Sequence, residues 1–221
     1  FLGDYQGYVQ ADAYSGYDEF FRKGDAVEVG CWAHTRRKFY DAKETDPLRA
    51  EHMLALIGEL YAVERQAKEE EYLPEQLLNA RQTKSRDVLG RIKVLLDVWV
   101  IEVLLKSPIG KAVTYALNQW NALMRYIDDP ILDIDNNVAE RALRRVVIGR
   151  KNWLFAGSEA GAERAAIIYS LVTGCKLSGL DPFAYFRDVL EKVTTWPASK
   201  INELIPSNWK KPETSANKAV A

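Results

Sequence analysis

Two carboxylates and a run of cations are the residues of this chain whose types and spacing best suit chemistry. Asp12 follows Tyr8-Val9-Gln10-Ala11, which reads as a short strand, so it stands at a strand's carboxyl end. Ligands of open α/β sheets gather at such ends. Glu140 lies in the stretch Asp133–Ser158, which opens on Asp133-Ile134-Asp135-Asn136-Asn137 and then runs Arg141, Arg144, Arg145, Arg150 and Lys151 without an acid between them. A carboxylate among guanidinium groups is held ionised, its hard oxygens suit Mg²⁺, and the cations pair with phosphate. The pattern therefore fits work on a phosphate polymer. It also fits a plain alternative, in which Asn137 and Glu140 form an N-x-x-E capping box and the charges make surface ion pairs of small energetic value.

Two further groups of residues carry the same choice. Arg150-Lys151-Asn152-Trp153, bounded by Gly149 and Gly157, has the make-up of a loop that grips nucleic acid, with cations for phosphates and an aromatic that stacks on an unpaired base. The alternative is that Trp153-Leu154-Phe155 anchors a core. His34-Thr35-Arg36-Arg37-Lys38 reads either as a phosphate-contacting helix face or as a solvated one. A lone histidine such as His34 is more often a hydrogen-bonded structural residue than a catalyst.

The elements that must position these residues follow from periodicity. Tyr8–Ala11 and Ala26–Cys31 read as strands flanking a short helix over Tyr17–Lys23, a small βαβ unit with parallel strands and a right-handed crossover. Two strands do not make a stable sheet, so their partners must come from elsewhere. In a helix from Trp32, Trp32, Arg36 and Phe39 are expected to share one face, while His34, Arg37 and Lys38 project elsewhere. The middle of the chain is nearly all helical: Leu48–Glu71, Leu77–Lys106, and a helix beginning at Ser107-Pro108 that carries an apolar stripe to Ile127. These stripes are core, and no chemistry is assigned to them. In the helix of Glu140, Ala139, Ala142, Leu143 and Val146 form the expected buried face. Helices over Glu159–Lys176, with Ala162, Ala165, Ala166, Tyr169, Val172 and Thr173 inside, and from Pro182, capped by Asp181, to about Thr195 complete the chain. An extended segment follows, and a polar end from Lys210 is expected to be disordered.

The 221 residues are 48% apolar and 11% aromatic, enough for a packed core and against disorder. Lys plus Arg, at 30, nearly balance Asp plus Glu, at 31, so only local clusters can argue for a charged partner. Cys31 and Cys175 lack metal-ligand spacing and read as buried free thiols of a reducing compartment. No apolar run approaches the roughly 20 residues that cross a bilayer, and the start does not read as a signal peptide.

Together, five blocks resemble the C-terminal part of a DDE transposase of the insertion sequence 66 family. They are Gly7-Tyr8-Val9-Gln10-Ala11-Asp12-Ala13-Tyr14-Ser15-Gly16-Tyr17, Gly30-Cys31-Trp32-Ala33-His34-Thr35-Arg36-Arg37-Lys38-Phe39, Asp135-Asn136-Asn137-Val138-Ala139-Glu140-Arg141, Arg150 to Ser158, and Gly179-Leu180-Asp181-Pro182. The resemblance implies an α/β, RNase H-like fold, truncated to the last two strands of its sheet, with a large all-helical insertion and C-terminal helices. The expected division is 1–46 for the second half of the core, 47–130 for the insertion, 131–195 for the Glu140 helix, basic loop and C-terminal helices, and 196–221 for an extended or disordered tail.

The resemblance also implies Asp12 and Glu140 as the second and third acids of a catalytic triad that binds two Mg²⁺ or Mn²⁺ ions. The first Asp is expected before Phe1, so the chain alone is expected not to cleave DNA. The implied reaction is cleavage at transposon ends and strand transfer into target DNA. Arg36, Arg37, Lys38, Arg141, Arg144, Arg145, Arg150, Lys151, Asn152 and Trp153 would hold the DNA. A homo-oligomer in the synaptic complex, no membrane, and a cytoplasmic, nucleoid-associated bacterial protein are implied as well. Two alternatives stay open: a non-catalytic DNA-binding or regulatory fragment of a transposase, and a metal-dependent nuclease.

Overall fold

The computed structural model describes residues 5–22, 24, 26–141, 144 and 156–211. They are mostly helical, with one small sheet, and the chain divides into two compact units, Phe1–Ala139 and Glu140–Ala221.

In the first unit, strand β1 (Gly7–Gln10) pairs in parallel with strand β2 (Ala26–Val29), in the register Gly7↔Ala26 to Gln10↔Val29. A single 3₁₀ turn at Ser15–Tyr17 and helix α1 (Asp18–Arg22) make the crossover, as the alternation of strand and helix signals predicts. Helix α2 (Trp32–Asp41) buries Trp32, Thr35 and Phe39. Arg36 was expected on that face and is exposed instead. One helical position moves the inward stripe to residues 32, 35 and 39, an i, i+3, i+7 spacing that puts the smaller Thr35 inside.

The helical bundle follows. Asp46 caps helix α3 (Pro47–Glu69) by accepting the Arg49 N–H at 3.2 Å, with Pro47 in the first turn, where its missing donor costs nothing. Helix α4 (Pro74–Ala80) continues through a π-helical turn at Arg81–Ser85 into helix α5 (Arg86–Glu102). Ser107 caps helix α6 (Pro108–Asn118), accepting the Gly110 N–H at 3.1 Å. The helix expected to run on to Ile127 breaks at Gln119 and resumes as α7 (Trp120–Met124) and a 3₁₀ turn at Arg125–Ile127. The core joins Val29 of the sheet and Trp32 and Phe39 of α2 to Ile57, Leu96 and Val113 of the bundle.

The π turn exists around one buried cation. Arg81 is 1% exposed. Its guanidinium meets both Glu64 oxygens of α3 at 2.8 and 2.7 Å, donates to the carbonyls of Tyr126 and Asp129 at 2.8 and 3.0 Å, and lies 5.2 Å from the centre of the Tyr126 ring. One side chain thus joins α3, the α4–α5 run and the end of the bundle. A buried bidentate pair of this kind offsets its own desolvation only while both partners remain.

In the second unit, Ser158 caps helix α9 (Glu159–Leu177) by accepting the Gly161 N–H at 3.0 Å. Asp181 caps helix α10 (Pro182–Lys192) through the N–H groups of Phe183 and Ala184, both at 3.2 Å. Cys175 is the only fully buried residue of α9, while Ala162 and Ala166, expected inside, are exposed. The packing partners of α9 meet its C-terminal part, where Cys175 joins Tyr185, Val189, Leu204 and Trp209 in a small core. The stretch expected to be extended from Trp196 instead forms a 3₁₀ turn at Ala198–Leu204 and packs back. Tyr185 donates its hydroxyl to the Leu204 carbonyl at 2.7 Å, and the Trp209 indole donates to Asp188 at 2.8 Å. Three aromatic and aliphatic side chains spread over a polar segment give no periodic signal, yet they suffice to hold it. The polar end expected to be disordered lies, from residue 212, outside the described residues.

Glu64→Gln, which strands the Arg81 cation in the core, is expected to cost about 3–5 kcal/mol of stability, and replacing both residues with Leu and Met to recover most of that loss. Urea denaturation of the three proteins measures both, and a single-mutant cost below about 1 kcal/mol would show that the pair does not hold the bundle.

Candidate functional site

The candidate site is built around the junction between β2 and α2. A two-stranded sheet leaves backbone donors without ladder partners, and here the bundle supplies them. Gly30 donates to the Ala122 carbonyl at 2.9 Å and Trp32 donates to the Ile134 carbonyl at 3.1 Å. The Trp32 indole donates to Leu123 at 3.0 Å, and Arg125 donates to the Glu28 carbonyl. Gln10 of β1 gives its amide to the carbonyls of Gly30 at 3.3 Å and Asp133 at 2.8 Å. A Cβ at Gly30 would come within 2.9 Å of the Leu123 nitrogen and 3.1 Å of the Ala122 carbonyl carbon, so this approach admits only glycine.

Asp12 hangs from this junction. Ala11 extends the pairing of β1 by donating to the Val29 carbonyl at 3.0 Å, and Asp12, exposed, is the next residue. Ala13 turns the chain away with φ at +62°. The left-handed region costs an alanine about 1–2 kcal/mol, so the turn must be enforced by its surroundings.

The segment leading to Glu140 is held at the same place. Its Asp133 and Ile134 carbonyls accept from Gln10 and Trp32, and the backbone N–H groups of Asn136, His34 and Ala33 near the Cys31 sulfur favour its thiolate. Burial, the largest influence, keeps the Cys31 thiol above its usual pKa despite those donors, so the cysteine is a packed, protonated acceptor and no ready nucleophile. Asp135 accepts the Tyr61 hydroxyl at 2.8 Å on one oxygen and the Asn137 N–H at 3.1 Å on the other. Burial and then the Asp135 carboxylate push the Tyr61 hydroxyl far above the usual tyrosine value, so it stays a donor.

Helix α8, described over 137–141, starts from that turn. Its first backbone donor is thus satisfied by Asp135, and Asn137 already lies inside the helix rather than capping it as expected. An Asp two residues ahead competes well for that N–H. Glu140 and Arg141 are exposed on α8, Arg144 is exposed too, and Ala139, expected inside, is exposed.

Of the other predicted site residues, Arg36, Arg37 and Lys38 are exposed on α2. The Lys38 ammonium lies 5.5 Å from the centre of the Tyr115 ring, whose hydroxyl donates to the Asp12 carbonyl at 3.2 Å. The fold therefore brings Asp12 and the basic face of α2 together through Tyr115. Arg145, Arg150, Lys151, Asn152 and Trp153 lie outside the described residues. Asp12 and Glu140 offer hard, exposed oxygen donors, which fit Mg²⁺ or Mn²⁺ better than a thiophilic ion. Sequence reasoning missed Gln10, Tyr61 and Tyr115 because their partners lie 123, 74 and 103 residues away. Only Gly30, a glycine between a strand and a helix, carried a local signal of close approach.

Residues 1–164 match the model of the transposase IS66 family, and residues 170–207 match the IS66 C-terminal element. The chain belongs to the IS66 transposase family. Its curated relatives include two uncharacterized proteins of Sinorhizobium fredii (strain NBRC 101917 / NGR234). The protein y4jD is 34% identical over 218 residues, covering 95% of this chain and 42% of its own length. The protein y4hP is 32% identical over 228 residues, covering 95% of this chain and 41% of its own length. The chain thus spans about two fifths of these relatives. No solved structure matches it, and among the described residues no helix is long and apolar enough to cross a membrane.

Two substitutions test the junction. Gly30→Ala is expected to lose about 1–3 kcal/mol, the usual range for overpacking, in urea denaturation; a neutral result would mean that strand and bundle are not in contact there. Tyr61→Phe leaves Asp135 one donor short and is expected to cost about 1–3 kcal/mol, with faster amide exchange at Asn137. Unchanged exchange at that amide would rule out Tyr61 as the anchor of α8.

Proposed function

We propose that this chain is the later part of a transposase catalytic region that cuts transposon ends and joins them to target DNA, using divalent metal ions. The observation that carries the reading is the shared anchorage of two acid-bearing segments. The chain before Asp12 and the chain before Glu140 are both hydrogen-bonded to residues 29–32, although more than a hundred residues separate them in sequence. Family membership supports the same reading, as does the cationic face of α2 beside the Asp12 loop.

In this proposal the two-stranded sheet is the retained edge of an RNase H-like core, residues 47–130 are a helical insertion, and residues 131–195 carry the Glu140 helix and the DNA-gripping cations. Asp12 and Glu140 would hold Mg²⁺ or Mn²⁺ through their carboxylate oxygens. When bound, divalent ions there would supply a sharpened oxygen nucleophile and stabilise the oxygen that leaves phosphorus. One P–O bond forms to water or a DNA 3′-hydroxyl as the opposite P–O bond breaks, and the hydroxyl proton passes to solvent. Arg36, Arg37 and Lys38, with Arg141, Arg144, Arg145, Arg150 and Lys151, neutralise phosphates so that two polyanions approach. Asn152 and Trp153 contact unpaired bases. The working protein is a homo-oligomer on DNA, in the bacterial cytoplasm.

Salt-dependent DNA binding separates this reading from a chance basic face. Replacing Arg36, Arg37 and Lys38 together with Ala is expected to flatten the slope of log affinity against log salt by about two to three, near 0.9 for each lost phosphate contact. Asp12→Asn and Glu140→Gln are expected to keep that slope. In a transposition reaction with the protein in its natural reading frame, each is expected to lower Mg²⁺-dependent strand cleavage about a thousandfold, roughly 4 kcal/mol of barrier. Full cleavage by either variant sinks the metal-ligand assignment.

A further inference from the structure

The left-handed turn after Asp12 needs a cause. Ala13 holds φ at +62°, and glycine, the residue that adopts such a turn without strain, is absent from the position. On one side the turn is fixed by the sheet, through the Ala11 N–H and the Val29 carbonyl. On the other side stands Tyr115, which projects from α6 in the helical bundle. Its hydroxyl donates to the backbone carbonyl of Asp12 at 3.2 Å, and its half-buried ring lies under the Lys38 ammonium. A phenol is well suited to the task, since its stiff ring reaches far and its single donor meets one carbonyl.

We propose that Tyr115 is a positioning residue for Asp12: it clamps the carbonyl of residue 12, holds the turn at Ala13, and so orients the carboxylate for a divalent cation while keeping Lys38 beside it. The inference rests on the metal role proposed above for Asp12. It gives the helical bundle, whose sequence carries no chemical motif, a direct part in preparing the site. The clamp acts through the backbone, so Tyr115 itself touches neither metal nor DNA.

The test uses the full chain and Mn²⁺ alone as probe, with affinity read from the paramagnetic resonance signal of the free ion. The order parameter of the Ala13 amide is read by nitrogen relaxation without metal. Tyr115→Phe keeps the ring and removes the donor. It is expected to leave the urea midpoint nearly unchanged, to weaken Mn²⁺ binding about five- to tenfold, and to lower the Ala13 order parameter from the rigid range of about 0.85 toward 0.6. Ala13→Val, which opposes the left-handed turn while leaving Tyr115 in place, is expected to weaken Mn²⁺ binding as well, and it serves if Tyr115→Phe does not fold. Asp12→Asn is the reference for loss of the ligand. If Asp12→Asn weakens Mn²⁺ binding and Tyr115→Phe leaves both affinity and order at wild-type values, the clamp is refuted while the metal role stands. If Asp12→Asn binds Mn²⁺ like the wild type, the metal role is refuted. The orienting role then falls with it, and the Ala13 order parameter alone decides whether Tyr115 holds the turn.

Discussion

The hydrogen bonds that Gly30 and Trp32 send across to Ala122 and Ile134 are the constraint on which the first unit depends. Two parallel strands of four residues bury too little to stand alone. Their survival requires that the next backbone donors along the chain find acceptors in the bundle, and that nothing larger than hydrogen occupies the Cα of Gly30. Once those bonds form, the ends of both strands and the segment leading into α8 are tied to one short piece of chain. Asp12, the residue after Ala11, inherits its anchorage from that arrangement.

The bundle is stiff enough to serve as the anchor because its helices are tied by more than apolar packing. Arg81 sits within a π turn that turns its guanidinium toward Glu64 and two carbonyls at the far end of the bundle. Such turns rarely occur without a local reason. Here the reason is that four hydrogen bonds are made at a site the apolar stripe does not mark. The bundle then reaches the sheet side through polar contacts, Tyr61 to Asp135 and Tyr115 to Asp12, as well as by apolar packing. In this view the long helical stretch between the two acid-bearing blocks is a frame that sets their backbone geometry.

Cys31 illustrates how a family motif can mix structural and chemical roles. It lies between the strand and the helix that carries the basic face, and its side chain is buried. A thiolate there would be desolvated, so the residue stays a packed thiol. Arg36, Arg37 and Lys38, five to seven residues further on in the helix that follows, are exposed.

What the sequence determined by itself was everything with a short range. Strand and helix periods, the Asp181 cap, the helix start at Ser107-Pro108, the parallel βαβ unit and the blocks shared with the IS66 family were all legible, because each depends on residues a few positions apart. Asp12 at a strand end and Glu140 in a helix were likewise legible as types in context. The tertiary structure decided the rest: Thr35 rather than Arg36 facing inward, the break at Gln119, Asp135 rather than Asn137 satisfying the first donor of α8, the folded-back segment at Leu204 and Trp209, and the tyrosines that reach Asp12 and Asp135. Each of these turns on a partner distant in the chain, or on a one-residue choice of rotation that local propensity leaves nearly degenerate. Only packing and the demand that every buried polar group find a partner can break that degeneracy.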